Sequence, residues 1–104
     1  MAGISLFVYG TLLNDELVRK LTGRVFPKRP ATLDGFERVE VPGDYPYIKR
    51  KPGASVEGCL LDGVDAASLA RLDAYEGDGY VRTPLEVTLG DGQRAACEGY
   101  LGRC

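Results

Sequence analysis

Apolar positions in this chain change their spacing from block to block, and each spacing points to an element. Ile4-Ser5-Leu6-Phe7-Val8-Tyr9 is a nearly unbroken β-prone run, the pattern of a strand covered on both faces. Gly10 ends it. Asn14 is placed to cap a short helix carrying Leu17, Val18 and Leu21, which Gly23 closes. Residues 31–41 predict a strand with a bend at Gly35. Pro42, Gly43, Pro46, Pro52 and Gly53 punctuate the loop-rich stretch that follows. Within and after it, residues 47–50 and 55–61 predict two further strands. Asp65 is placed to cap a second helix that runs to Tyr75. Over residues 80–89 the period becomes two, with Leu85, Val87 and Leu89 on one side and Glu86 and Thr88 on the other. Pro84 inside that run marks an edge or a bulge. Asp91-Gly92 is a hairpin signal, and residues 94–101 form the returning strand.

Strands outnumber helices and do not alternate regularly with them, which disfavours a doubly wound sheet. The expected fold is α+β: a small mixed β-barrel of about five or six strands with flanking short helices. A chain of 104 residues holds one core, so a single domain over residues 1–104 is expected. At 44% hydrophobic and 27% charged residues, it has the apolar content that disordered chains lack.

Composition also removes whole classes of function. There is no histidine, so neither a Ser-His-Asp nor a Cys-His nucleophilic machine exists within the chain, nor a His-ligated metal site. Cys59, Cys97 and Cys104 are too few for a four-cysteine zinc centre, and their odd number argues against a disulfide framework. Cys59 and Cys97 read as packing residues, Cys104 as a terminal thiol. The net charge of −2 leaves no overall basic footprint for nucleic acid. No stretch approaches the roughly 20 apolar residues of a membrane span, and the N-terminal run has no basic flank of a targeting segment. A cytoplasmic location with reduced thiols is the expectation. The charge is uneven, however. Residues 19–51 hold nine Lys/Arg and four Asp/Glu, whereas residues 52–104 hold four and nine. This is either solvated surface or a cationic rim that attracts an anionic ligand or an acidic partner. Lys49-Arg50-Lys51 belongs to it.

An acid on an apolar face is the sharpest clue. Leu69 and Leu72 set the stripe of the second helix, and at about 100° per residue position 76 falls between them. Position 76 is Glu. A carboxylate turned toward the core, near a helix C-terminus whose dipole disfavours negative charge, is pushed above its ordinary pKa. Such a group is suited to general acid/base work. Asp73, on the flank of the same stripe, is its nearest competitor. The alternative from pattern alone is a helix that ends at Tyr75, with Gly77 as a left-handed cap and Glu76 in solvent. A second feature is Tyr9-Gly10-Thr11-Leu12, where the chain leaves a buried strand for a helix. Backbone N–H groups at such a junction can hold a carboxylate or an oxyanion, although many strands simply end in Gly. Tyr45, Tyr47, Tyr80 and Tyr100 are either core aromatics with a polar tip or pocket liners, and pattern does not choose among them.

These pieces, taken in chain order, resemble a known family. Val8-Tyr9-Gly10-Thr11-Leu12 resembles the YG(S/T)L signature of the γ-glutamylcyclotransferase-like superfamily. Gly43-Asp44-Tyr45-Pro46-Tyr47-Ile48 is similar to its YPxI segment, and Leu72-Asp73-Ala74-Tyr75-Glu76-Gly77 with Tyr80-Val81-Arg82 to its LDxxEG…YxR segment. Tyr100 is similar to its late strand tyrosine. The short length is closer to the γ-glutamylamine cyclotransferase branch than to the larger glutathione-directed enzymes.

The resemblance implies a barrel flanked by helices, with no metal and no cofactor. It implies a small-molecule γ-glutamyl substrate, cyclised to 5-oxoproline with release of an amine. Glu76 matches the catalytic carboxylate, and Tyr9, Gly10, Thr11 and Leu12 match the loop that holds the substrate. Tyr80 and Arg82 match positions close to the site. Ring closure within one molecule needs no protein nucleophile, which agrees with the absence of histidine. The alternative is a non-catalytic module on the same fold that binds a small metabolite or an interaction partner.

Overall fold

The structure is a computed structural model and describes residues 3–43 and 47–102. The continuous apolar run becomes strand β1 (Ile4–Val8), and both its faces are covered. Leu6 and Val8 pack with Leu12, Val18, Leu69 and Leu72 under the helices, while Phe7 and the following Tyr9 point into the barrel with Leu33, Phe36, Ile48 and Val87. Alternation along one strand thus joins two apolar clusters.

Around β1, the chain runs through α1 (Asp15–Thr22), β2 (Lys28–Val39), β3 (Tyr47–Val64), α2 (Ala66–Glu76), β4 (Tyr80–Leu89) and β5 (Arg94–Gly102). The strands close a barrel in the order β1-β3-β2-β4-β5. Every neighbouring pair is antiparallel except β1 and β5, which run parallel through Leu6↔Glu98 and Phe7↔Gly99. The expected α+β mixed barrel is therefore what forms, with five strands.

One expectation needs correcting: residues 47–50 and 55–61 are not separate strands but parts of the single β3. The pairing explains how Pro52 and Gly53 are tolerated inside it. Asp34 faces Ser55 and Phe36 faces Arg50, so two steps along β2 match five along β3. The surplus residues bulge out opposite Gly35, where Gly35 and Gly53 take φ of 82° and 84°, values that glycine adopts without a Cβ clash. The strand bends there and continues. Pro84 sits where pairing permits it: β4 meets β2 only through Ala31↔Leu89 and Thr32↔Thr88, so the Pro84 stretch presents an edge on that side among the described residues.

Local signals set the other boundaries. Asn14 caps α1 by accepting the N–H groups of Glu16 and Leu17, and Gly23 closes it in the left-handed conformation. Asp65 caps α2 through the Ser68 N–H at 3.1 Å and hydroxyl at 2.7 Å, and those bonds hold the Asp65 carboxyl below its ordinary range. In the hairpin, Asp91 Oδ1 accepts the Gln93 N–H at 2.9 Å. The segment 44–46 and Cys104 lie outside the described residues, so Tyr45 and Pro46 are not placed. No helix among the described residues is long and apolar enough to cross a membrane.

Packing between β1 and β3 leaves no room at Gly58. A Cβ there would overlap the Val8 carbonyl oxygen and stand 2.9 Å from Phe7 Cζ. Gly90 has open space around it and no unusual φ. Gly58→Ala is expected to cost about 1–3 kcal/mol or more in urea unfolding, with Gly90→Ala changing stability by no more than about 0.5 kcal/mol. Equal, small effects would show that the close approach is relieved at no cost.

Candidate active site

The site begins where β1 ends. Tyr9 turns into the barrel, and its hydroxyl donates to the Tyr100 carbonyl at 2.7 Å. Beyond Gly10 the chain makes a single 3-10 turn over Thr11–Leu13. Its bonds run from Leu13 N–H to Gly10 O at 3.0 Å and from Asn14 N–H to Thr11 O at 3.1 Å. The amides of Thr11 and Leu12, at the start of the turn, take no part in that ladder. Leu12 is buried under α1 and α2 and anchors the turn.

Helix α2 supplies the acid. It runs to Glu76, and Gly77 follows as its cap with φ 73°, its N–H donating to Asp73 O. The helix thus continues one residue past Tyr75, and the periodicity that turns position 76 inward applies. Glu76 is partly buried. Loss of water alone pushes its carboxyl from the ordinary 4.5 up to about 7.

Loop and helix meet at a small pocket. Tyr9, Gly10, Thr11 and Leu12 form one wall, Glu76 and Tyr80 another, and Phe7, Val8 and Tyr100 close it. Six of the seven site residues expected from the sequence therefore come together. Among the described residues, Glu76 is the single carboxylate on the lining, and no cationic side chain joins it. The other lining residues bring aromatic rings, aliphatic groups, the phenols of Tyr9, Tyr80 and Tyr100, the Thr11 hydroxyl and backbone. Tyr75 ties helix to loop, its hydroxyl donating to Thr11 Oγ1 at 3.1 Å. The Tyr9 and Tyr100 phenols are both raised above their ordinary range, chiefly by burial, so each stays neutral and able to donate.

Arg82 is the seventh residue, and it stands elsewhere. It does not line the pocket. Its Nη1 meets Asp73 Oδ2 at 2.8 Å and its Nε meets Glu98 Oε1 at 2.8 Å. Asp73, the competing acid, has its other oxygen taken by the Tyr100 hydroxyl at 2.6 Å. Both its oxygens are occupied, and Asp73 itself does not line the pocket. From pattern alone Tyr100 is one of several aromatics, and only the family resemblance marks it as the late strand tyrosine. What selects it is its position opposite Arg82 in the β4–β5 ladder, which no local pattern encodes.

The remaining candidates lie apart from this pocket. Cys97 is buried inside the barrel, where burial pushes its thiol up to about 11. Cys59 packs at the margin of the cluster under the helices. Lys49 and Lys51 flank Glu37 at 3.8 and 3.6 Å, and Arg50 stacks over the Phe36 ring at 5.1 Å. None of the three lines the pocket. Among the described residues, no group of three His, Cys, Asp or Glu side chains is arranged to hold a metal ion.

Comparison with known proteins places this geometry. The family described as "Gamma-glutamyl cyclotransferase, AIG2-like" matches residues 6–103. AIG2-like protein D of Arabidopsis thaliana is 38% identical over 88 residues, covering 84% of this chain and 58% of that protein. The chain spans less than two thirds of the length of the curated relatives it matches first. An Arabidopsis thaliana protein solved in solution superposes with a TM-score of 0.89 at 31% identity, over 95% of this chain and 68% of that one. A solved gamma-glutamyl cyclotransferase superposes with a TM-score of 0.82 at 24% identity, over 96% of this chain and 66% of that one, which is likeness of fold. With nearly all of its length matched, the chain belongs to the AIG2-like gamma-glutamyl cyclotransferase family.

Proposed function

We propose that this domain cyclises the γ-glutamyl group of a γ-glutamylamine to 5-oxoproline and releases the amine, with Glu76 as general acid and base. The observation that carries this reading is one partly buried carboxylate facing a loop of backbone donors across a small pocket. The substrate enters with its α-amine protonated. Glu76 takes a proton from that ammonium, and the freed nitrogen attacks the γ-carbonyl carbon, forming the ring C–N bond. Negative charge develops on the former carbonyl oxygen, and the amides of Thr11 and Leu12 are the donors nearest to hand for it. The tetrahedral centre then collapses. Glu76 returns its proton to the leaving nitrogen as that C–N bond breaks; it then takes the second proton of the ring nitrogen and passes it to the released amine, which departs as an ammonium and leaves Glu76 ionised again. No water, nucleophilic side chain or cofactor is consumed.

Two features of the pocket favour ring closure. Its small volume and aromatic walls hold the glutamyl chain bent, with amine and carbonyl close. A carboxyl that titrates at about 7 is present in both forms near neutral pH, as a group that must first accept and then donate a proton requires. The wide aromatic wall of Tyr9, Tyr80 and Tyr100 suits the aliphatic stem of an amine leaving group.

Glu76→Gln keeps the side-chain volume and removes proton transfer. It is expected to lower kcat for γ-glutamyl-ε-lysine and related amines by about 100-fold or more, read as 5-oxoproline by mass spectrometry. Full activity in this variant, or the same loss in Asp73→Asn with Glu76→Gln active, would refute the assignment. The base form of Glu76 begins the reaction, so kcat/KM is expected to rise with pH through about 7 and then level. A profile flat across that range would refute the role of base.

Stability gives an independent check. Folded Glu76 holds its proton more tightly than the unfolded chain, so folding loses stability as pH rises between about 4.5 and about 7. Glu76→Gln is expected to remove that decline and to exceed wild type in stability above about pH 7. Parallel stability–pH curves would mean that Glu76 is solvated.

A further inference from the structure

Arg82 shares a sequence segment with Glu76 and yet faces away from the pocket lining. What it touches forms one connected unit. Arg82 lies directly opposite Tyr100 in the β4–β5 ladder, and Glu98 lies two residues before Tyr100 on the same face of β5. The guanidinium spans Asp73 at 2.8 Å and Glu98 at 2.8 Å. Asp73 reaches across from α2 and accepts the Tyr100 hydroxyl at 2.6 Å. The Tyr100 backbone in turn accepts the Tyr9 hydroxyl at 2.7 Å. A continuous chain of polar contacts therefore joins the last turn of α2, the outer face of β4 and β5, and the first residue of the loop.

Asp73 lies three residues before Glu76, on the same side of the helix. Whatever fixes Asp73 fixes the turn that carries Glu76. The ion pairs are partly exposed, with side-chain accessibilities of 31% and 42% for Arg82 and Asp73, and pairs of that kind add little to global stability. The fork matters through its geometry. Arginine presents two donors in one rigid plane, and lysine presents a single point.

We propose that Asp73, Arg82 and Glu98 are positioning residues that hold the last turn of α2 against Tyr100 and thereby set where the Glu76 carboxylate meets the substrate. This rests on the catalytic role assigned above to Glu76. The unit acts through Tyr100 and through the helix, and Arg82 does not bind the substrate itself.

Arg82→Lys is the informative variant because it preserves every charge. The groups facing Glu76 are the phenols of Tyr9 and Tyr100 from the barrel, Tyr80 across the pocket, and Asp73 on its own helix. Arg82→Lys leaves all of them unchanged, so a shift in Glu76 titration reports position and hydration. We expect kcat for a γ-glutamylamine to fall about 10- to 100-fold with KM within about twofold of wild type. The NMR titration midpoint of the Glu76 carboxyl, assigned with Glu76→Gln, should move from about 7 toward 4.5 as water reaches a loosened turn. Glu98→Gln, a milder change outside the pocket, should act in the same direction, and the double variant should be no worse than the larger single effect.

A higher KM with kcat kept in Arg82→Lys would make Arg82 a substrate ligand and overturn the proposal. An unchanged kcat and midpoint, with only a lower Tm, would make the unit a structural brace and also overturn it. If wild type turns over no γ-glutamylamine, the functional reading fails. The Glu76 midpoint in wild type, Arg82→Lys and Glu98→Gln then decides the positioning role alone: a fall supports it and no change refutes it.

Discussion

Everything in this fold depends on burying both faces of a five-residue strand. β1 lies between β3 and β5 and closes the barrel through an antiparallel pairing on one side and a short parallel one on the other. Its odd and even residues belong to different apolar clusters, so the strand cannot slip by one position without exchanging both sets. Because β1 is fixed so firmly, its C-terminal end is fixed too, and that end leads into the Tyr9–Leu12 loop that lines the pocket. The helices are held by the same strand, since Leu6 and Val8 form the floor on which Leu69 and Leu72 of α2 rest. Loop and acid thus share one support.

The electrostatics of the site follow from what the pocket lacks. Burial alone raises Glu76; no like charge is needed. Among the described residues, Arg82 is held by two carboxylates and Arg38 by Glu40 at 2.6 Å. A lysine or arginine on the lining would pull the carboxyl back toward its ordinary value and weaken it as a base. Aromatic walls exclude water without adding charge. The phenols of Tyr9 and Tyr100, held neutral, spend their protons on the Tyr100 carbonyl and on Asp73 and add no charge beside Glu76.

Features legible in the sequence were those with a local cause. Asn14 and Asp65 announce helices because a short side chain must satisfy nearby amides. Asp91-Gly92 announces a hairpin because its backbone needs a residue without a Cβ clash. The inward turn of Glu76 follows from helical period once the helix reaches it. The continuity of β3 was hidden, since Pro52 and Gly53 carry the same local signal whether they end a strand or bulge from one; the partner strand decides. The placement of Arg82 was hidden for a related reason. Its contacts depend on lying opposite Tyr100 across a ladder, and on Asp73 reaching over from α2. Motif order groups Arg82 with the acid, whereas register separates them.

The bulge opposite Gly35 bears on how this architecture tolerates change in length. Residues on its far side, Phe36 to Val39 with Tyr47 to Arg50, keep their own pairing, offset from the pairing of Lys28 to Asp34 with Ser55 to Leu61. An added or deleted residue within the bulge alters that offset, while the near segment stays locked by β1 at Val8↔Cys59 and Phe7↔Leu60. The outer arm is not free to drift, because its Phe36 and Ile48 are buried in the same cluster as Phe7 and Tyr9; a change of length there is tolerated only where it keeps those two side chains facing the barrel.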